Sequence, residues 1–170
     1  MYCIAAKWFR LGFAILCILA AWGLAPTAYG QTVADNWLNP NGGSYEDDSN
    51  WSLGAPGAYP IFNLGSSGYT ITLNQDDSAI DPVVETDNPT INLNGFSYTS
   101  DYLDVSDYPG TSGSLTFLGP GTYSGSIPQQ GYINVGGTLN VNGATIDQSG
   151  IDTTIGGGGT LNVENGGSVI

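Results

Sequence analysis

Cationic side chains are almost missing from this chain. Its 170 residues include two, Lys7 and Arg10, and no histidine, against fifteen aspartates and glutamates. All charged side chains after residue 10 are therefore acidic. Because phosphate neutralisation by Lys and Arg supplies most of the affinity for nucleic acid, the sequence excludes nucleic acid as a partner. The same reasoning excludes an anionic membrane surface.

Cysteine is scarce too, and both copies, Cys3 and Cys17, lie in the first thirty residues. This segment has a cationic start, an apolar run from 11 to 24, and small residues in Ala28-Tyr29-Gly30 before Gln31. The pattern predicts a cleaved signal peptide, residues 1–30. The alternative is a membrane anchor, for which the run is shorter than the roughly 20 residues required. We expect a secreted, cell-surface or outer-membrane-associated protein without disulfides.

Strong helix formers are rare after residue 30, where Lys, Arg and Met are absent and Glu occurs three times. Gly, Asn, Thr, Ser, Val and Ile dominate instead, and no stretch has a clear helical period of apolar residues. This composition favours an all-β chain with many turns. The length of about 140 residues fits one domain.

One short strand pattern recurs along this acidic part. Each copy alternates polar and apolar residues, which predicts a strand with one buried face. The copies are Thr70–Asn74, Thr90–Asn94, Ser114–Leu118, Thr138–Asn142 and Thr160–Glu164. Their first apolar residues are 20, 24, 24 and 22 residues apart. A period of this length predicts a parallel β-helix, a β-solenoid, in which equivalent residues of successive coils stack.

The expected stacking defines two inward ladders. The first contains Ile71, Ile91, Leu115, Leu139 and Leu161, and the second contains Leu73, Leu93, Phe117, Val141 and Val163. The Thr and Asn residues between them would form outward columns, which we expect to make external contacts. We divide the chain into a signal peptide (1–30), a Trp/Gly-rich N-terminal cap segment (31–68) and coils of about 20–24 residues (69–170). The incomplete repeat unit at Ile170 leaves two interpretations open, a fragment truncated at the C-terminus and a short paralogue.

Two motifs carry a resemblance to known bacterial proteins. The stretch NWLNPNGGSYEDDSNWSLGAPG, residues 36–57, resembles the Trp-rich opening of many exported proteins, with Tyr45 where Trp is usual. The units GGTLNVNGATI and GGTLNVENGGSVI are similar to autotransporter-associated β-strand repeats and to surface proteins with a PEP-CTERM sorting tail. The resemblance implies a right-handed parallel β-helix on an exported surface protein. The sequence shows neither the sorting tail nor a translocating barrel.

Trp37 and Trp51 allow two interpretations. A solenoid has open ends that need covering, so the two rings could form an N-terminal cap over the first coil. Alternatively they could be platforms on which sugar rings stack, together with Tyr102 and Tyr108. We favour the cap and keep a carbohydrate-binding module as the alternative function.

The acidic residues suggest two further sites. Asp101, Asp104 and Asp107 lie at three-residue spacing and could supply oxygen ligands to calcium, but the interpretation that we favour for them is a solvated acidic loop between coils. Glycoside hydrolysis needs two carboxylates, which could come from Asp101, Asp104 and Asp107 or from Asp76, Asp77 and Asp81.

The favoured interpretation of the whole sequence is a non-catalytic structural or surface-display protein, passenger- or adhesin-like. Polysaccharide lyases of this fold abstract a proton with Lys or Arg, and because no Lys, Arg or His follows residue 10, we do not expect this activity. We expect no cofactor apart from the calcium just described. The expected partners are other surface or matrix proteins and neutral glycans.

Overall fold

The computed structural model describes residues 33–54, 56–65, 68–106, 108–125, 131–149, 152–156 and 158–170. These residues belong to one compact unit, Thr32–Ile170. The signal peptide lies outside the described residues and stays a prediction. Within the described part, no helix is long and apolar enough to cross a membrane. A 3-10 turn, Asp48–Asn50, is the only helical element there.

Short strands make up the rest of the regular structure. In chain order they are β1 (Ala34–Asn36), β2 (Gly43–Ser44), β3 (Tyr59–Phe62), β4 (Tyr69–Thr72), β5 (Asp77–Ala79), β6 (Val83–Val84), β7 (Pro89–Asn92), β8 (Ser97–Ser100), β9 (Tyr102–Val105), β10 (Ser114–Leu118), β11 (Thr122–Gly125), β12 (Tyr132–Val135), β13 (Thr138–Asn142), β14 (Thr145–Asp147), β15 (Asp152–Ile155), β16 (Thr160–Glu164) and β17 (Ser168–Val169).

The strands form three sheets that the chain visits in turn. Sheet I has the order β1-β3-β6-β9-β12-β15, sheet II has β2-β4-β7-β10-β13-β16, and sheet III has β5-β8-β11-β14-β17. Every strand pair in them is parallel, as in β10–β13 and β13–β16. From β3 onward each coil thus contributes one strand to each sheet, and the fold is an all-β solenoid of about five turns. The predicted fold class is confirmed.

The core lies between the three sheets, where the alternating apolar residues point inward. Along sheet II, Ile71 pairs with Ile91, Phe117 with Val141, and Val141 with Val163. Sheet I stacks Val84, Val105 and Val135, and sheet III stacks Tyr98, Tyr123 and Ile146. These residues are buried except Val163 in the last coil. Burial of apolar surface at about 25 cal/mol per Å² is the main favourable term available to a fold without disulfides.

The predicted ladders are wrong between the second and third copies of the repeat. Ile91 pairs with Phe117 and not with Leu115, so the continuous ladder contains Ile71, Ile91, Phe117, Val141 and Val163. The register differs from the expected one by two residues. A shift of two keeps every side chain on its original face, so alternation alone does not distinguish the two registers.

Parallel pairing also extends into the segment predicted as a cap. In sheet I, β1 pairs with β3, and in sheet II, β2 pairs with β4. Between β1 and β3 the chain makes an excursion that is closed by an antiparallel bridge between Trp37 and Trp51. Gly42 allows the excursion to approach sheet II, because a Cβ at this position would lie 2.1 Å from the Thr70 carbonyl oxygen.

Candidate functional site

The two tryptophans of the N-terminal segment lie inside the protein. Trp37 follows β1 and Trp51 follows the 3-10 turn, and their exposed fractions are 1% and 3%. The two ring centroids are 5.1 Å apart in an edge-to-face arrangement, and Tyr45 packs against Trp51 at the same distance. Phe62 and Tyr69 extend the cluster toward the first coils. Aromatic pairs of this geometry contribute about 0.5–1.5 kcal/mol beyond the area that they bury.

The polar edges of both indoles are satisfied within the same segment. Trp37 Nε1 donates to the Asn39 carbonyl oxygen at 2.6 Å, and Trp51 Nε1 donates to the Tyr45 carbonyl oxygen at 2.7 Å. Asn50 donates through Nδ2 to the Ser44 carbonyl oxygen. A sugar that stacks on tryptophan needs an exposed ring face, and these rings have none. Their burial favours the cap over the sugar platform, although the cap itself stays a prediction.

Asp35, which the sequence analysis did not single out, fastens this segment to the solenoid. The residue is fully buried, and its Oδ1 accepts hydrogen bonds from Ser52 Oγ and the Leu53 amide, both at 2.9 Å. Within the described residues, Oδ2 is buried without a hydrogen-bond partner. Alternation along β1 could have identified Asp35, because it lies two residues before Trp37 and therefore on the same face.

Buried tyrosines continue the aromatic cluster along the interior. The Tyr45 and Tyr98 hydroxyls lie 3.1 Å apart, and the Tyr123 hydroxyl lies 2.6 Å from Ser100 Oγ. Tyr69 donates to buried Asp87 Oδ2 at 2.8 Å. Burial raises the pKa of each of these four phenols above its ordinary range. They remain neutral and serve as hydrogen-bonding groups of the core.

Tyr102 and Tyr108 are placed differently from the tryptophans and from one another. Tyr102 begins β9, is half-buried, and packs against Tyr132 of the next coil, with ring centroids 4.7 Å apart and ring planes tilted by 44°. Tyr108 lies in the loop after β9 with 59% of its surface exposed, beside an open depression of about 320 Å³. The structure thus pairs Tyr102 with Tyr132, which the sequence analysis missed. The similar sequences YLDV and YINV, whose residues pair one to one, could have predicted this contact.

The three aspartates of the predicted calcium site are only partly described. Asp104 in β9 is 7% exposed and accepts a hydrogen bond from Asn134 Nδ2 at 3.0 Å. Asp101 lies at the turn before β9, and Asp107 is outside the described residues. Within the described part, no group of three or more His, Cys, Asp or Glu residues is arranged to hold a metal ion. The calcium site stays a prediction, because one of its three ligands is not described.

The carboxylates considered for hydrolysis are divided between two places. Asp76 and Asp77 line a depression of about 400 Å³ on sheet III, together with Ser78, Ser97 and Thr99. Asp81 interacts electrostatically with Asp104, and burial followed by this like charge raises the pKa of Asp81 to about 6. Within the described part, Asp81 Oδ1 is buried without a hydrogen-bond partner. The structure therefore couples Asp81 with Asp104, a pair that the sequence analysis did not propose.

The outer face of sheet II carries an unbroken polar column. One residue from each of five successive coils contributes to it: Thr70, Thr90, Thr116, Asn140 and Asn162. Asn140 Nδ2 donates to Thr116 Oγ1 at 3.2 Å, and Asn162 Nδ2 donates to Asn140 Oδ1 at 2.9 Å. These bonds fix the side chains at the spacing of the strands, about 4.8 Å. The column is a regular, uncharged surface built on a rigid sheet.

Comparison with protein-family models, with curated proteins and with solved structures finds no significant match to this chain.

Proposed function

We propose that the protein is a non-catalytic, exported structural protein that displays rigid polar surfaces, in the manner of a passenger or adhesin domain. The observation that carries this proposal is the polar column of sheet II. Its five side chains are held in register by the sheet and, from Thr116 onward, by hydrogen bonds between coils. Such a column can bind other surface or matrix proteins along its length, because the contacts repeat at the coil spacing.

The chemistry of the remaining side chains supports a structural role. No Lys, Arg or His follows residue 10. The solenoid therefore has no amine, guanidinium or imidazole side chain that could act as a base or bind an anionic substrate. The buried Tyr hydroxyls are engaged with one another, with Ser100 or with Asp87. A hydrolase would have to rely on carboxylates alone, with Asp81 and Asp104 as the coupled pair.

Carbohydrate binding is the second candidate, and a specific surface favours it. Tyr102 and Tyr132 form a half-buried aromatic pair on the outer face of sheet I, and Asp104 and Asn134 lie two residues further along the same strands. A neutral sugar can stack on an aromatic ring and donate hydroxyl hydrogen bonds to an adjacent carboxylate, while an amide can both donate to it and accept from it. This interpretation moves the sugar site from the tryptophans to the tyrosine pair.

Protease shaving of intact cells tests the proposed location. A bacterium that produces the chain with residues 1–30 intact should carry the mature protein on its surface, where external protease removes it while a cytoplasmic marker survives. Retention in the cytoplasm with residues 1–30 attached would overturn the proposal.

Binding assays then separate the two candidate functions. Surface display predicts that the purified protein binds no neutral glycan and that substitutions in the polar column reduce its attachment to cells or matrix. Carbohydrate binding predicts saturable glycan affinity that falls at least tenfold in Tyr132→Ala. The matched control is Tyr108→Ala, since Tyr108 is exposed but has no place in the tyrosine pair.

A further inference from the structure

Two half-buried tyrosines lie side by side on the outer face of sheet I. Tyr102 begins β9 and Tyr132 begins β12, and the two residues pair in register across the parallel ladder. Their ring centroids are 4.7 Å apart, and the ring planes are tilted by 44°. This distance lies at the short end of the range of about 4.5–7 Å for aromatic pairs. The two rings, called the tyrosine pair, are thus in direct contact across neighbouring coils.

The sheet holds the backbone beneath the two rings at a fixed separation. The next residues along the strands, Leu103 and Ile133, pair with one another and are buried in the core. One residue further, Asn134 Nδ2 donates to Asp104 Oδ1 at 3.0 Å. Neighbouring strands lie about 4.8 Å apart, so the two tyrosine side chains leave the sheet on the same face at nearly the separation of their rings.

The other tyrosine contacts among the described residues are closed to solvent. Tyr98 lies between Tyr45 and Tyr123, with ring centroids 5.5 Å and 6.2 Å away, but all three side chains are buried. Tyr108 is exposed, and within the described part of the chain its ring contacts no other aromatic ring. In that part, the tyrosine pair alone combines contact between two phenols with access to solvent.

Few other groups of the chain compete for an oxidant. Both cysteines and the single methionine lie in the first seventeen residues, so no sulfur atom follows Cys17. Thiols and thioethers are common targets of oxidants in proteins. Trp37 and Trp51, the two tryptophans after residue 30, are buried. Accessible phenols are therefore the most readily oxidised side chains of the described solenoid.

We propose that the tyrosine pair is a site of oxidative cross-linking, at which a dityrosine bond joins Tyr102 to Tyr132. The oxidant is hydrogen peroxide, used by a haem peroxidase. Each phenol loses one electron and one proton to become a phenoxyl radical, and one peroxide molecule is reduced to two water molecules. The radicals then form a carbon–carbon bond between ring carbons ortho to the two oxygens. Each of these carbons releases its proton to water, and each oxygen takes one up, which restores both aromatic rings.

The observed contact suits the geometry of this bond. Two directly bonded rings have centroids slightly closer than the 4.7 Å found here, so the rings need to move little. Such rings are twisted about the new bond, and the tilt of 44° therefore requires no change to a coplanar arrangement. Because both side chains leave sheet I on the same face, the bond forms without changing the pairing of β9 with β12.

A dityrosine bond at this place ties two neighbouring coils together. It closes the chain between Tyr102 and Tyr132 into a loop and so restricts the unfolded chain, as a disulfide does. No cysteine follows Cys17, so the solenoid itself forms no disulfide. The tie is also stable to thiol reductants. The cross-link goes beyond the surface display and the sugar binding proposed above, and it depends on neither.

Oxidation of the chain without residues 1–30 tests the proposal. The purified protein is treated with a haem peroxidase and hydrogen peroxide at several protein concentrations. Dityrosine fluorescence should appear while the chain keeps the mass of a monomer on a denaturing gel. The yield should not depend on protein concentration, because the two rings belong to one chain. The absence of dityrosine, or a product found only between chains, would overturn the proposal.

Mass spectrometry then locates the bond. Because no Lys or Arg follows residue 10, the protein is digested with an endoproteinase that cuts at aspartate. The expected product is a linked peptide that contains Tyr102 and Tyr132 and is lighter by two hydrogen atoms than its two parts together. A link that joins other tyrosines instead would contradict the assignment to the tyrosine pair.

A matched pair of variants separates this site from other phenols. Tyr132→Phe keeps an aromatic ring but removes its hydroxyl, so no phenoxyl radical forms there and the product within one chain should be lost. Tyr108→Phe removes an exposed phenol outside the tyrosine pair and should leave the yield unchanged. Circular dichroism checks that both variants keep the fold. Equal losses in both variants, or an undiminished product in Tyr132→Phe, would place the reaction elsewhere.

Urea denaturation measures what the bond does for the solenoid. The oxidised chain should unfold at a higher urea concentration than the untreated chain, because its unfolded state is restricted. Tyr132→Phe treated in the same way should show no such shift. A chain that carries the bond but unfolds at the same urea concentration as the untreated chain would reject its role as a tie between coils.

Discussion

The first and the last coil that the structure describes differ in how their apolar side chains are covered. At the N-terminal end, large aromatic rings are buried and their polar edges bonded, whereas at the C-terminal end Ile155 and Val163 remain half-exposed. The sequences of the strands do not explain this contrast, because TLNVN of β13 and TLNVE of β16 differ in one residue. Val141 and Val163 occupy the same place in these strands. What differs is the next coil, which covers Val141 and is missing over Val163 among the described residues.

The largest expected effect comes from the N-terminal end. Trp51→Ala removes a buried ring that contacts Trp37, Tyr45 and Phe62, and we expect it to lower the free energy of unfolding by about 3–5 kcal/mol. Urea denaturation followed by circular dichroism measures the change. A loss below about 1 kcal/mol would show that the rings add little to that end, and the cap would have to be abandoned.

The next comparison uses two valines of one ladder. Val141→Ala should lower the free energy of unfolding by about 2 kcal/mol, because two buried methyl groups are lost and a cavity remains. Val163→Ala should cost less than about 1 kcal/mol, since nearly half of Val163 is already exposed. Both are measured by urea denaturation followed by circular dichroism. Equal losses would contradict the difference in burial between the two valines.

The solenoid could be predicted from sequence because its signal is local and repeated. The alternation of polar and apolar residues assigned Ile71, Leu139 and Val141 to the interior. The recurrence of the same strand sequence implied that equivalent residues stack. The register between β7 and β10 could not be predicted, because a shift of two residues preserves alternation. The neighbouring coil that decides it lies more than twenty residues away, and the turns between them vary in length.

The candidate sites were less predictable, since they depend on contacts between coils. The pairing of Tyr102 with Tyr132 follows from the register of β9 and β12, which the sequence analysis did not align. The coupling of Asp81 with Asp104 likewise arises between successive coils of sheet I. Asp35 was overlooked because a charged residue at an inward position contradicts the usual composition of a core.

A smaller effect on stability is expected from Asp81, near the middle of sheet I, and it depends on pH. Burial, and then the charge of Asp104, raises the pKa of Asp81 in the folded chain from 3.8 to about 6. The folded chain therefore holds this proton more tightly than the unfolded chain does. The resulting stabilisation is complete below about pH 4 and is lost as the pH rises through about 6.

Asp81→Asn removes this titration. Because the side chain is only half-buried, solvent screens the interaction, and we expect the variant to gain about 1 kcal/mol at pH 7 and little at pH 4. Urea denaturation at both pH values measures the change, and Asp152→Asn, an exposed aspartate at the C-terminal end, is the matched control. A gain in Asp81→Asn that is the same at both pH values would contradict the assigned cause.

The last test changes no residue of the mature chain and follows the fluorescence of its native tryptophans. In the chain without residues 1–30, Trp37 and Trp51 are the only tryptophans. Their burial predicts blue-shifted emission that acrylamide quenches poorly and that neutral glycans and calcium leave unchanged. Quenching of the native rings, relieved by a glycan, would instead reject the cap and return the sugar site to Trp37 and Trp51.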